Sequence, residues 1–153
     1  MKGGSMVAAR VAIADVQVDP IMASLHVMNS LTFYGRAFEG WLAGITAPKD
    51  RMEGLATEAG DGAVIVAGDF NRAPDMRQYR KLLTDGYRDA VKETGSGLGP
   101  TYPSYPWMPP FYTFDHVLTR NTSLSSLQTI PLPATDHRAL LATIHMPLGK
   151  PSS

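Results

Sequence analysis

Asp69 and Asn71, separated by Phe70, directly follow the apolar run Ala63-Val64-Ile65-Val66-Ala67-Gly68. A carboxylate offers only acceptors, whereas a carboxamide offers both a donor pair and an acceptor. At period-two spacing the two side chains point to one side of an extended segment. Such a pair suits a hard cation, an attacking water or a phosphoryl oxygen. A second cluster, Thr135-Asp136-His137-Arg138, opens the apolar stretch Ala139–Ile144. A third, Asp115-His116, opens Val117-Leu118-Thr119. A strand-borne Asp can hold an imidazole in one tautomer and raise its basicity. Asp115 is placed to do this for His137.

These residues need a scaffold that brings three strand ends together. The run at 63–67 reads as a strand buried on both faces, and open α/β sheets carry their chemistry at the carboxyl ends of strands. Val7 to Val18 alternates and predicts one strand. Ile21 to Val27 predicts a second, paired with it across Asp19-Pro20. Phe33, Ala37, Phe38, Trp41, Leu42 and Ile45 follow helical spacing, with Pro48 expected to end that helix. Asp50 and Glu53 then suggest a capped short helix stopped by Gly60. Asp75 is expected to cap a further helix through Met76, Tyr79, Leu82 and Leu83, ended by Gly86. Residues 94–113, rich in proline and aromatics, read as a long ordered loop rather than a linker. Its aromatics either stack on bases or cover the sheet edge. His116 is expected to be structural, because it points away from Asp115. His145 is expected at the surface. The alternation of strands and helices predicts an α/β sheet covered by helices.

At the motifs Ile65–Asn71, Phe114–Leu118 and Thr135–Leu140 the chain resembles the endonuclease/exonuclease/phosphatase superfamily, which includes pancreatic-type DNases and exonuclease-III-like enzymes. Ser24-Leu25-His26 is a weaker fourth match, where the family has a strand ending in His. The resemblance spans roughly residues 11–147, in the family's order, and implies a shortened α/β sandwich. It implies His137 as general base or charge stabiliser, Asp115 orienting it, and Asp69 positioning or deprotonating the water. Asn71 would hold a phosphate oxygen, and His26 would join the catalytic set. Asp136, with Asp69 and Asn71, would bind Mg²⁺ or Mn²⁺. The family's N-terminal half, with a strand Asn and a metal-binding Glu, has no counterpart here. Either the chain is a truncated or decayed form, or it is a minimal enzyme that completes its metal site another way. Asp15, Asp19 or a second subunit would then supply the missing carboxylate.

Composition bounds the remainder. At 153 residues the chain fits one domain, assigned to residues 7–150, with Met1–Met6 reading as an expression scar. Fourteen basic and fourteen acidic side chains give a formal net charge of zero, so any nucleic-acid contact is local rather than a broad basic surface. There is no cysteine, which removes disulfides and thiolate metal sites. No apolar run approaches the roughly 18 residues of a membrane span. The expected protein is a bacterial cytoplasmic, divalent-metal-dependent phosphodiester hydrolase acting on DNA. A phosphomonoesterase, a lipid phosphodiesterase and a non-catalytic half-domain that binds a partner are the alternatives. A homodimer is expected, because half a sandwich leaves an apolar sheet face uncovered.

Overall fold

The computed structural model describes residues 4–28, 37–95, 97 and 99–149. Strands β1 (Gly4–Arg10) and β2 (Ile21–Val27) form an antiparallel pair, and helix α1 (Ala37–Ala59) then crosses to β3 (Val64–Asp69), which lies parallel to β2. A one-turn helix α2 (Arg77–Arg80), a short strand β4 (Arg88–Asp89) and helix α3 (Ala90–Thr94) follow. The chain closes with β5 (Asp115–Arg120), β6 (Ser123–Pro131) and β7 (Arg138–His145). The main sheet has the order β1-β2-β3-β5-β4, and β6 and β7 form a separate hairpin. This is the expected α/β architecture.

The apolar run of β3 takes the sheet centre because both of its faces find cover. Val64 and Val66 face α1, packing with Leu25, Val27, Leu118, Met52 and Ala56. Ile65 and Ala67 face the hairpin, with Val117, Leu127, Leu140 and Ile144. Among the described residues the hairpin packs over β3, β5 and α3. On β1 and β2 the same side stays open, with Val7 73% and Met22 42% exposed.

Several boundaries differ from the sequence expectation, each for a local reason. β1 stops at Arg10, opposite Ile21, rather than running to Val18. Pro20 has no N–H to continue the ladder, and Asp15 takes a left-handed φ of 64°. Gly4, Ser5 and Met6, expected outside the domain, pair with Val27, His26 and Leu25 in β1. Pro48 does not end a helix but lies inside α1, so Asp50 is no N-cap. The buried stripe Met52, Ala56 and Ala59 docks the second half of α1 on the sheet, and packing outweighs the lost backbone bond. Gly60 does stop it, at φ 56° and with its N–H on the Ala56 carbonyl at 3.1 Å. The helix expected from Asp75 to Gly86 is the single turn α2, whose N-cap position is Met76, with no side-chain cap. Phe33 lies outside the described residues. β6 was not expected, because its Ser, Gln and Thr blur the apolar alternation.

Gly68 is the tightest point of this scaffold. A Cβ there would sit 1.9 Å from the Leu25 carbonyl oxygen, and its φ is 148°. Gly68→Ala should therefore destabilise the protein by about 3 kcal/mol or more. Urea denaturation followed by circular dichroism checks this, and a loss below about 1 kcal/mol would contradict the packing.

Candidate active site

Strand alternation sorts the polar residues onto two faces. Asp69 pairs with Asp115 across β3 and β5, and with His26 across β3 and β2. Paired residues share a face, so these three stand together on the side of the hairpin. His116 and Gly68 share the other face, toward the helices.

Asn71 joins Asp69 by a turn rather than by strand alternation. β3 ends at Asp69, and Asn71 adopts a left-handed φ of 47°. Its backbone N–H donates to Asp69 Oδ1 at 2.8 Å, and its Nδ2 donates to Asp69 Oδ2 at 3.0 Å and to the Val27 carbonyl at 2.8 Å. Both amide hydrogens are engaged within the protein, so Oδ1 is the atom Asn71 has left to offer. That atom is an acceptor, suited to a cation.

The His137 imidazole comes from the turn before β7. Its Nδ1 lies 2.7 Å from Asp115 Oδ2, and a carboxylate can only accept, so Nδ1 carries the hydrogen. Nε2 is thereby left as the basic nitrogen. The pair is partly buried, with side-chain exposures of 26% and 20%. His26 is more open, its Nε2 4.0 Å from Asp69 Oδ2. Burial, and to a lesser degree repulsion from Asp115, raise the Asp69 pKa above its ordinary 3.8, against the Asn71 N–H and the charges of His137 and His26.

Asp136 is exposed, and its carbonyl accepts the Ser104 N–H at 2.8 Å. Among the described residues no group of three or more His, Asp or Glu side chains could hold a metal ion. Asp69 and Asn71 Oδ1, which the turn holds together, offer oxygen only, as a hard divalent ion prefers. Mg²⁺ binds through few carboxylates and keeps several waters. Neither Asp15 nor Asp19 of the same chain can complete this set. Asp19 accepts from Ile13 N–H and Arg10 beside the start of β2, roughly 20 Å along the strand from its other end. The Asp15 carbonyl accepts from Gly149, beyond the far end of β7.

Four further residues support the site, and of these the sequence pointed only to Tyr102, among the aromatics of the 94–113 loop. The buried Thr101 accepts the Phe114 and Asp115 N–H groups on Oγ1 at 3.2 and 3.3 Å, and its carbonyl accepts Arg138 N–H at 2.8 Å. It thus ties the Asp115 strand to the His137 turn. The Tyr102 ring lies 4.9 Å from that of His137. Arg72 is 1% exposed and donates to the Asn71 carbonyl at 2.7 Å. Burial pushes the guanidinium pKa down, and the Asp69 charge opposes that. Asp89 is equally buried. His116 is buried and His145 exposed, as expected.

A family model for the endonuclease/exonuclease/phosphatase family matches residues 34–137. This chain belongs to that family. A search of curated proteins returns no match. Among solved structures, a functionally unknown conserved protein from Enterococcus faecalis V583 is similar at TM-score 0.70 and 12% identity, over 92% of this chain and 56% of that one. The Bacteroides thetaiotaomicron mannosyl-6-phosphatase is similar at TM-score 0.67 and 14% identity, over 91% and 56%. A 3′ phosphatase from Neisseria, bound to a product DNA hairpin, is similar at TM-score 0.64 and 19% identity, over 90% and 63%. These likenesses are of fold, and the chain spans little more than half of each relative. The family is one of hydrolases. Among the described residues, no helix is long and apolar enough to cross a membrane.

The Asp69 environment has a measurable consequence. Its folded pKa lies above the 3.8 of an ordinary aspartate, so the folded state binds this proton more tightly than the unfolded chain. The resulting stability is complete below 3.8 and is lost as pH rises through the folded value. In chelator, Asp69→Asn should lack this decline, so the stability of wild type relative to the variant falls as pH rises from 3.5. Urea melts across that range check it. A relative stability that rises with pH would contradict the environment described.

Proposed function

We propose that this chain is a divalent-metal-dependent phosphodiester hydrolase acting on DNA. The observation that carries the reading is the His137–Asp115 contact of 2.7 Å, set beside an Asp69 that pairs with Asp115 in the sheet. Asp69, Asn71 Oδ1 and Asp136 would hold Mg²⁺ or Mn²⁺, which when bound neutralises phosphoryl charge and makes water more acidic. Asp115 keeps His137 in the tautomer with a basic Nε2. Nε2 takes the proton of the attacking water or, once protonated, stabilises the developing charge. Asp69 orients that water. His26, open to solvent beside Asp69, contributes a donor to the phosphate. Two features support a nucleic-acid substrate. Tyr102 packs on His137, and the rings of Tyr105 and Trp107 stack at 5.3 Å with Trp107 73% exposed. Exposed rings of this kind bind bases without needing a basic surface. A phosphomonoester is the second reading, favoured by the two phosphatases among the similar structures.

Supercoiled plasmid should be nicked with Mg²⁺ or Mn²⁺ and not in EDTA. His137→Ala should lower the rate by about 10²-fold or more. Full nicking in chelator overturns the mechanism. Release of phosphate from a 3′-phosphorylated oligonucleotide, without nicking, would favour the second reading.

The site also stands to be completed from outside the chain. We infer that the open side of β1 and β2, where Val7 and Met22 are exposed, is covered by a second copy that brings a carboxylate toward Asp136. Sedimentation at micromolar concentration should show a dimer, dissociated by Val7→Lys with loss of activity. A fully active monomer of 16.6 kDa would exclude a shared site.

A further inference from the structure

Asp115 and His116 are neighbours with opposite destinations. Asp115 stands on the hairpin side, against His137, whereas the His116 side chain is wholly buried on the helix face of β5. His116 Nε2 lies 2.9 Å from the Arg72 carbonyl oxygen. A carbonyl only accepts, so Nε2 carries a hydrogen. His116 Nδ1 lies 3.4 Å from Asp89 Oδ2. Asp89 also accepts the Val91 N–H on Oδ1 at 2.9 Å and the Tyr79 hydroxyl on Oδ2 at 2.5 Å. Burial would raise its pKa, but the nearby His116 ring, the Tyr79 hydroxyl and the Val91 N–H outweigh burial and hold it below the ordinary value.

The ring has two further contacts. It lies against Tyr79 at 4.1 Å between centroids, and Phe70 meets it edge-on at 5.5 Å and 89°. Phe70 and Arg72 are the two residues flanking Asn71. Asn71 holds a left-handed conformation that a non-glycine residue keeps only where its surroundings over-determine it. The same imidazole therefore grips the chain on both sides of the strained residue.

We propose that His116 is the positioning residue of the Asp69–Asn71 turn, holding the Arg72 carbonyl through Nε2–H and the Phe70 ring by contact. Its effect on rate rests on the phosphodiesterase reading, whereas its effect on the turn does not. His116 never meets substrate. It acts by keeping Asn71 bonded to Asp69 on the opposite face of the sheet.

The test compares His116→Leu, which has no donor, with His116→Gln, whose amide N–H has similar reach. Amide exchange at Asn71, whose N–H rests on Asp69, reads the turn directly by NMR, and plasmid nicking with Mg²⁺ reads kcat and KM. In the Leu variant Asn71 should exchange on the order of tenfold faster, and kcat should fall on the order of tenfold with KM within about twofold. The Gln variant should recover most of both, although its thermal stability falls much as that of the Leu variant does. A purely structural histidine would instead make exchange and rate follow stability in both. Unchanged Asn71 exchange in a folded Leu variant, or a Gln variant no better than Leu, overturns the proposal. Should the Leu variant fail to fold, the ring ¹⁵N shifts of wild-type His116 decide it: a proton on Nε2 supports it, and a proton on Nδ1 alone refutes it. A wild-type protein that hydrolyses nothing would remove the activity reading and leave the exchange and ring measurements standing.

Discussion

The register between β3 and β5 is the constraint on which the site depends. It sets Asp69 opposite Asp115 and Gly68 opposite His116. A slip of one residue would exchange the faces, burying Asp115 under the helices and turning His116 to the side of His137. Two features resist that slip. Both faces of β3 are packed, so every side chain of the strand has a defined place. Gly68 also lets the Leu25 carbonyl approach where no side chain could stand. Precision in the cleft is therefore set by apolar packing several residues away.

One partly buried aspartate and one fully buried one show how neighbours decide what a carboxylate does. Burial acts on both and raises both. Asp89 receives hydrogen bonds from Tyr79 and Val91, lies beside the His116 ring, and ends below the ordinary range. Asp69 has the Asn71 N–H, weaker attraction from two histidines and a repelling carboxylate, and ends above it. One is satisfied within the protein and serves the scaffold. The other is left short of positive charge, the condition in which a bound cation or a proton donor is most strongly held. The two lie on opposite faces of one sheet, so the scaffold is stabilised without filling the site.

The hairpin of β6 and β7 does two jobs. Its apolar face closes the core over β3 and β5, and the turn leading into β7 presents His137 to Asp115. Thr101 ties that turn and the Asp115 strand together. The hairpin stops short of β1 and β2, whose outer side carries exposed Val7 and Met22.

Much of this was legible in the sequence because apolar runs and their polar punctuation are local signals. The run at 63–67 marks a strand buried on both faces, and the motifs at Asp69, Asp115 and His137 mark the ends that meet. The parity of a strand also separates Asp115 from His116. Other features depend on residues far apart in the chain, and only the tertiary structure decided them. Packing against the sheet carries α1 through Pro48, against the local cost of proline. The turn at Asn71 holds because Val27, Arg72 and His116 converge on it from three separate segments. Asp15 and Asp19 lie in the right part of the sequence to complete a metal site, yet the direction of β2 carries them to the wrong end of the sheet. Spacing along a chain sets which face a side chain takes within its own strand. Which ends of which strands come together is set by the pairing and packing of the whole fold.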